Sequence, residues 1–177
     1  MIQVARAVAV VLGLAVIAGC DPASPPRAGA ALGLPALEVP AENPITPDKV
    51  ALGRKLFFDR LLSPNGTMSC AMCHVPEQGF TAHELATPVG MEGRSVRRNA
   101  PTVLNAGFQK RLFHDGREVS LEDQVWGPLL APSEMGNPSI GFVVERIRAL
   151  RDYAGLFEAA FGGKPASSER IGAALAA

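Results

Sequence analysis

The segment Cys70-Ala71-Met72-Cys73-His74 constrains the fold of this 177-residue chain more than any other feature. Two thiols followed directly by an imidazole, at this spacing, form the attachment motif of a c-type haem. One helical turn separates Cys70 from Cys73, so both sulfurs can reach the two vinyl groups on one porphyrin edge. His74 is then the proximal iron ligand. The chain is therefore predicted to be built around one covalently bound haem.

Two other kinds of site also use a Cys-x-x-Cys pair. A redox-active dithiol works without an adjacent histidine, so it leaves His74 unexplained. A zinc site needs four ligands, and the chain has no further Cys/His pair to add to Cys70 and Cys73. A haem site accounts for all three residues and is the interpretation that we favour.

The first nineteen residues have the features of an export signal. Arg6 is followed by an apolar run over residues 7–18, which ends in the small residues Ala18-Gly19-Cys20. The run is shorter than the ~20 apolar residues that span a bilayer, which disfavours an uncleaved transmembrane anchor. Because residues 17–20 resemble a bacterial lipobox, residues 1–19 are predicted to be a lipoprotein-type signal peptide. Cys20 is then the lipidated first residue of a periplasmic, membrane-anchored protein.

Composition divides the rest of the chain into a tether and a compact part. Residues 20–40 are rich in proline and alanine and have few large side chains, which predicts a flexible linker. Residues 41–165 are long enough for one haem domain. The whole chain has 17 basic and 17 acidic residues. Loss of residues 1–19 removes one basic residue, Arg6, and leaves a net charge near −1. This charge does not indicate a nucleic-acid partner.

Helical signals dominate the compact part. Thr46-Pro47-Asp48 starts a helix that we expect to continue to about Asp59. Residues 120–123 form a capping box, and residues 140–161 carry apolar side chains at helical spacing. Residues 75–98 contain Gly and Pro with little periodicity, which predicts a long loop over the haem. The expected fold is an all-α, cytochrome c-like haem domain with long loops, preceded by the signal peptide and flexible linker.

The end of the chain lies inside a further predicted helix. Ser167 or Ser168 is its cap, Ile171 and Leu175 are its first apolar positions, and no Gly or Lys ends it before Ala177. Residues 166–177 are therefore predicted to be the start of a truncated C-terminal domain. A frayed terminal helix is the alternative.

The order of these motifs is similar to that in the N-terminal half of the bacterial di-haem cytochrome c peroxidases and the related methylamine-dehydrogenase maturation enzymes. The resemblance covers about residues 44–177. The matching segments are KVALGRKLFFD (49–59), SCAMCH (69–74), Gly79-Phe80, RNAPT (98–102), Asn105, Asp115-Gly116-Arg117, LEDQ (121–124), Gly127-Pro128 and Glu134-Met135. Together they are far more discriminating than the haem motif alone.

The resemblance implies peroxidase chemistry. It assigns Glu134 to the distal side of the haem, where its carboxyl takes a proton from hydrogen peroxide and returns it to the leaving oxygen. A solvated loop carboxylate is the alternative. In the family a second haem, in a C-terminal domain with its own Cys-x-x-Cys-His, supplies an electron. The expected partners are a small periplasmic cytochrome c or copper protein as electron donor, and a second copy of the chain in a homodimer.

Four further polar residues take assignments from the resemblance. One of Arg98 and Arg117 is expected to pair with a haem propionate, the alternative being two surface cations. His114 replaces the tryptophan that many family members have before Asp-Gly-Arg. It is expected to donate a hydrogen bond at the haem edge or to be an ordinary buried histidine with a satisfied ring. Asn99 matches a calcium ligand between the two domains of the family, although most other calcium ligands belong to the second domain.

The sequence leaves the sixth ligand of the iron open. Some peroxidases of this type have a displaceable distal histidine after a glycine, and the corresponding pair here is Gly90-Met91. Met91 or His83 is therefore a candidate distal ligand, and an open or water-bound iron is the alternative that we favour. A protein ligand suits electron transfer, whereas an open position suits peroxide chemistry.

These features define one preferred function and three alternatives. The preferred function is a c-type haem peroxidase domain that reduces hydrogen peroxide to water. The alternatives are a single-haem cytochrome c electron carrier with a ligand such as Met91, an inactive fragment of a di-haem enzyme, and a maturation oxidase that acts on a partner protein. Glu134 beside an open iron distinguishes the first function from the electron carrier.

Overall fold

The computed structural model describes residues 33–177. The α-helices of this part of the chain are α1 (Pro47–Phe58), α2 (Leu121–Gln124), α3 (Trp126–Leu130), α4 (Ile140–Ala149), α5 (Leu156–Ala160) and α6 (Ser168–Leu175). Short 3₁₀ turns lie at Arg60–Leu62, Cys70–Met72, Pro76–Gln78, Met91–Gly93, Ala106–Phe108 and Arg151–Tyr153. None of the helices within residues 33–177 is long and apolar enough to cross a membrane. The predicted signal peptide, Cys20 and most of the tether lie outside the described residues.

Helix α1 begins and ends almost where the sequence places it. The Thr46 hydroxyl accepts a hydrogen bond from the main-chain N–H of Lys49 at 3.3 Å, and Pro47 occupies the first turn. The helix ends at Phe58 because Asp59 is extended. The Asp59 carboxylate then caps the following 3₁₀ turn by accepting the N–H of Leu61 at 2.8 Å. This turn leads the chain from α1 toward the Cys-x-x-Cys-His motif.

The second half of the domain is more broken than its periodicity predicts. Residues 140–161 form α4, a 3₁₀ turn and α5 rather than one helix. Leu150 is extended after α4, and Gly155 has a φ of +78°, so the chain turns at both positions. Tyr153 in the intervening turn donates its hydroxyl to the Asp59 carboxylate at 2.8 Å. This bond ties the turn to the end of α1.

One hydrophobic core is shared by α1, α4, α5 and α6. Leu56 and Ile171 have no exposed surface, and Ile147 and Phe157 are almost completely buried beside them. Burying one such side chain contributes ~1.5–3 kcal/mol. Helix α6 contributes Ile171 to this core, although it lies within residues 166–177, which are predicted to begin a further domain. Residues 37–177 form one compact unit that includes α6.

Two glycines allow α6 to approach its neighbours closely. A Cβ on Gly53 of α1 would lie 1.9 Å from the carbonyl oxygen of Ala174. A Cβ on Gly172 of α6 would lie 2.4 Å from the carbonyl oxygen of Glu122. Both distances are far below van der Waals contact, so a larger residue at either position displaces backbone. These close approaches place α6 against both α1 and α2.

Extended pairing in the described part of the chain is limited to three isolated bridges. They join Val75 to Thr81, Val89 to Ser95 and Leu112 to Glu118. Each bridge closes a short loop on itself. The helical fold class is confirmed, and residues 75–98 are irregular as predicted, apart from the 3₁₀ turns at Pro76–Gln78 and Met91–Gly93. Two of these closed loops carry three of the candidate site residues, Met91, His114 and Arg117.

Candidate functional site

The Cys-x-x-Cys-His motif adopts a single compact turn. The main-chain N–H of Cys73 donates to the Cys70 carbonyl at 3.1 Å, and that of His74 donates to the same carbonyl at 2.9 Å. The expected helical turn is present as a 3₁₀ turn over Cys70–Met72 and is not part of a longer helix. Both cysteines are free thiols and half-buried. The turn thus brings two sulfurs and an imidazole together on one short segment.

The surroundings of the two thiols are apolar enough to suppress their ionisation. Burial raises the pKa of the Cys70 thiol to about 12. Burial also raises the pKa of Cys73, and the negative charge of Glu134 raises it further. A redox-active dithiol needs a thiolate of low pKa, so this environment argues against the dithiol alternative. The charge of Glu134 is thus within electrostatic range of Cys73.

A main-chain carbonyl orients the imidazole of His74. Nδ1 of His74 lies 3.1 Å from the carbonyl oxygen of Phe80. In the tautomer in which Nδ1 donates this hydrogen bond, Nε2 carries the lone pair and is available to a metal. Burial lowers the pKa of His74, which favours the neutral ring that a metal ligand requires. The Val75–Thr81 bridge closes the loop that presents this carbonyl.

The Phe80 carbonyl is a functional group that no motif in the sequence predicts on its own. Phe80 has a φ of +59°, which is rare for a residue with a side chain. Its ring packs edge-on near Phe57 at 6.1 Å between centroids, and Phe57 in turn lies 6.2 Å from the His74 ring. The Gly79-Phe80 pair in the matching segments was the sequence signal for this feature. The strained backbone is accordingly part of the imidazole's support.

The donor set fits a haem. Two protonated thiols and an oriented neutral imidazole occur on one turn, and aromatic side chains line it. Within residues 33–177, no cluster of three or more His, Cys, Asp or Glu side chains could hold a metal ion on its own. His74 is therefore suited to be the single imidazole ligand of a metal whose other ligands come from a macrocycle.

Glu134 is a half-buried carboxyl without a partner in the described structure. No hydrogen bond or ion pair of its side chain occurs among residues 33–177. Burial raises its pKa, and the positive charge of Arg117 opposes that rise. Such a group can exchange a proton at a pH closer to neutral than an exposed carboxyl can. Its neighbour Met135 is 4% exposed and belongs to the core, as a packing residue.

The two candidates for a distal ligand differ in environment. His83 is exposed, and its main-chain N–H donates to the Gln78 side chain at 2.9 Å. Met91 is only 6% exposed and belongs to the hydrophobic core. Its main-chain N–H donates to the carbonyl of Glu134 at 2.9 Å. The structure therefore brings Met91, and the loop that carries it, next to Glu134.

Arg98 and Arg117 share one carboxylate. Nη1 of Arg117 lies 2.8 Å from Asp115, and Nη1 of Arg98 lies 3.1 Å from it. Hydrogen bonds from Arg117 and then Arg98 hold the pKa of Asp115 down at about 2. The Arg117 guanidinium also lies over the ring of Phe113 at 3.5 Å from its centroid. Both arginines are about half exposed, so each retains donors for a further anion.

His114 and Asn99 contact each other through the backbone. Nε2 of His114 lies 2.9 Å from the Asn99 carbonyl oxygen. His114 is exposed, so the expectation of an ordinary buried histidine is wrong, although its ring does have a partner. The Asn99 amide oxygen accepts the N–H of Ala100 at 2.8 Å. This bond uses one of the two lone pairs of the amide oxygen.

Comparison with known proteins identifies the family. The model of the di-haem cytochrome c peroxidase family matches residues 47–177. The methylamine utilization protein MauG of Methylorubrum extorquens is 46% identical over 138 residues, which are 77% of this chain and 38% of that protein. The cytochrome-c peroxidase IdrP1 of Denitromonas iodatirespirans is 37% identical over 178 residues, which are 99% of this chain and 45% of that protein.

Solved structures give the same result. The crystal structure of a MauG-like protein associated with microbial copper homeostasis is 36% identical, with a TM-score of 0.70 over 84% of this chain and 45% of that one. The diheme peroxidase BthA of Burkholderia thailandensis is 31% identical, with a TM-score of 0.64 over 76% of this chain and 38% of that one. The chain spans less than half the length of these relatives. It belongs to the di-haem cytochrome c peroxidase family of oxidoreductases.

Proposed function

We propose that this chain is a c-type haem peroxidase domain that reduces hydrogen peroxide to water. The observation that carries the proposal is the half-buried, unpartnered Glu134 carboxyl beside the Cys70–His74 turn. We further propose that the protein is exported to the periplasm and is lipidated at Cys20. A small cytochrome c or copper protein supplies its electrons.

Four side chains hold the haem in this proposal. Cys70 and Cys73 form thioethers with its vinyl groups, and Nε2 of His74 binds its iron. Arg117 pairs with a propionate through the donors that Asp115 leaves free. The haem supplies an iron that binds peroxide and accepts electrons one at a time.

Glu134 moves the proton. With the haem bound, its carboxylate would accept a proton from one oxygen of hydrogen peroxide and donate it to the other oxygen, which leaves as water. Burial raises the pKa of Glu134, so its acid and base forms are closer in free energy near neutral pH than those of an exposed carboxyl. The complete reaction consumes one hydrogen peroxide, two electrons and two protons, and it yields two waters.

A maturation oxidase is the second candidate function. It is favoured by the 46% identity to the methylamine utilization protein MauG of Methylorubrum extorquens. In that role the same Glu134 chemistry serves the oxidation of a partner protein, whereas a peroxidase takes its electrons from a small redox protein. An electron carrier does not need Glu134. It needs a protein ligand at the sixth position of the iron instead.

Replacement of Glu134 by Gln tests the proposal. Glu134→Gln keeps shape and hydrogen-bonding capacity but cannot accept the proton, so peroxide cleavage by the haem-loaded chain is expected to slow by ~10² or more. Haem content and the ferric absorbance spectrum are expected to remain as in the parent. Glu145→Gln, on the exposed side of α4, is the matched control. Parent-rate peroxide cleavage by Glu134→Gln would remove Glu134 from the mechanism, whereas absence of peroxide cleavage by the parent chain would favour the electron carrier.

A further inference from the structure

The loop of residues 88–96 packs against the segment that carries Glu134 and forms hydrogen bonds with it. This loop is closed on itself: the N–H of Val96 donates to the Pro88 carbonyl at 3.1 Å, and that of Gly90 donates to the Arg94 carbonyl at 2.8 Å. The Val89–Ser95 bridge lies between these bonds. The conformation of the loop is therefore fixed by its own main-chain hydrogen bonds.

Gly90 makes the closest approach between this loop and the Glu134 segment. A Cβ on Gly90 would lie 2.1 Å from the carbonyl oxygen of Ser133 and 3.0 Å from the Cα of Glu134. The φ of Gly90 is −104°, so a left-handed conformation is not the reason for a glycine here. Lack of space is the reason, because main chain packs directly on main chain.

Two hydrogen bonds from the same loop hold the Glu134 segment. The N–H of Met91 donates to the Glu134 carbonyl at 2.9 Å, and the Arg94 guanidinium donates to the Pro132 carbonyl at 3.3 Å. On its other side, the N–H of Glu134 donates to the Ala131 carbonyl at 2.9 Å. Both main-chain polar groups of Glu134 are thus fixed, and only its side-chain torsions remain to set the direction of the carboxyl.

The Met91 side chain completes the contact. Its Cγ lies 3.2 Å and its Cε 3.5 Å from where a Cβ on Gly136 would be, and Gly136 has a φ of +67°. Met91 therefore packs over the turn that follows Glu134 and is buried there. This buried contact favours a packing role for the Met91 side chain over a ligand role.

We infer that the loop of residues 88–96 positions the Glu134 carboxyl, and that Gly90 and Met91 are the positioning residues. In this arrangement Met91 is not an iron ligand. The inference rests on the proposed role of Glu134 in proton transfer. Displacement of a reacting group by about 1 Å can cost 10²-fold in rate. A side chain at Gly90 cannot be accommodated without a shift of the Ser133–Glu134 backbone of that order.

Two glycines of the same loop provide the experiment. Gly90→Ala introduces the clash with Ser133 at an ordinary φ, whereas Gly93→Ala introduces strain at a φ of +76° with nothing within 4 Å of the new Cβ. The haem-loaded full chain is compared with both variants in peroxide cleavage and in the rate of cyanide association with ferric haem, which needs a base to take the proton of HCN. Unfolding temperature and ferric absorbance report on the fold and the haem.

The expected result separates the two variants. Gly90→Ala lowers both rates at least about tenfold with an unchanged ferric spectrum, whereas Gly93→Ala keeps both within about twofold of the parent. Parent rates in Gly90→Ala, or equal losses in both variants, would overturn the inference. If Glu134→Gln slows cleavage but Gly90→Ala does not, only the positioning role fails. If Glu134→Gln itself has parent rates, the proposed role of Glu134 in proton transfer fails, and the positioning role fails with it.

Two surface variants test the positioning role of the loop if Gly90→Ala does not fold. Arg94→Gln loses the bond to the Pro132 carbonyl, and Arg97→Gln removes the same charge from an exposed side chain that makes no hydrogen bond in the described structure. A fall of about threefold in the cyanide rate for Arg94→Gln alone is expected. Equal rates in these two variants would overturn the inference.

Met91→Leu tests the other half of the inference. It removes the thioether and keeps the volume, so the ferric spectrum is expected to be unchanged. Loss of a methionine–iron charge-transfer band in Met91→Leu would show that Met91 is a ligand.

Discussion

Nδ1 of His74 lies 3.1 Å from the main-chain carbonyl oxygen of Phe80, a residue whose φ is +59°. The loop between them is only a few residues long and is closed by the Val75–Thr81 bridge. Because a main-chain carbonyl is the acceptor, the imidazole is oriented by backbone geometry and not by a second side chain. In the tautomer in which Nδ1 donates this bond, Nε2 is left as the nitrogen that can bind a metal.

His74→Ala is expected to abolish stable haem binding. The variant keeps both thiols but loses the proximal iron ligand. Any haem that is attached is then not held by the iron–histidine bond, so the folded haem domain is not stable. The measurement is haem per polypeptide, from absorbance of the purified exported protein. His83→Ala is the control, because His83 is exposed and outside the motif. Parent haem content in His74→Ala would contradict the assignment of the proximal ligand.

Local sequence signals predicted the parts of the fold that short-range chemistry controls. The N-terminus of α1 follows from the Thr46 cap and Pro47, and the haem motif follows from the spacing of Cys70, Cys73 and His74. These features depend on neighbours along the chain. A single sequence is enough to predict them.

Features that depend on long-range contacts were not predictable in the same way. Gly90 looks like any turn glycine, and its approach to Ser133 exists only because two distant segments meet. The Gly79-Phe80 pair marks the position of the Phe80 carbonyl in the sequence, but no residue type indicates that this main-chain atom accepts a bond from His74. The break between α4 and α5 was missed because the apolar spacing of both helices is continuous, although Gly155 turns the chain between them. Helix α6 has the pattern of any amphipathic helix, and only its packing shows that it joins this core.

Gly53→Ala is expected to destabilise the domain by about 1–3 kcal/mol. The new Cβ would lie 1.9 Å from the Ala174 carbonyl oxygen, which is backbone and cannot rotate away, so α1 and α6 have to separate. Urea unfolding followed by circular dichroism measures the free energy of unfolding.

Gly141→Ala is the matched control for this contact. Gly141 lies in α4, and its Cβ would meet only the Ser139 hydroxyl at 3.8 Å. Because alanine has the higher helix propensity, Gly141→Ala is expected to be neutral or stabilising by up to about 1 kcal/mol. Equal effects of the two substitutions would show that helix propensity, and not the α1–α6 contact, determines the result.

Arg117→Gln is expected to move the acid limb of the peroxide-cleavage rate to higher pH. Burial raises the pKa of Glu134 and the charge of Arg117 lowers it, so loss of that charge raises the pKa further. Only the ionised carboxyl can accept the peroxide proton, so kcat/KM then begins to fall at a higher pH as the solution is acidified. The measurement is the pH profile of kcat/KM, with Arg97→Gln as a control that removes an equal charge. A limb that stays in place or moves to lower pH in Arg117→Gln would show that the titration of Glu134 does not control the rate. A limb that moves equally in Arg97→Gln would show that net charge, and not the proximity of Arg117, sets the pKa of Glu134.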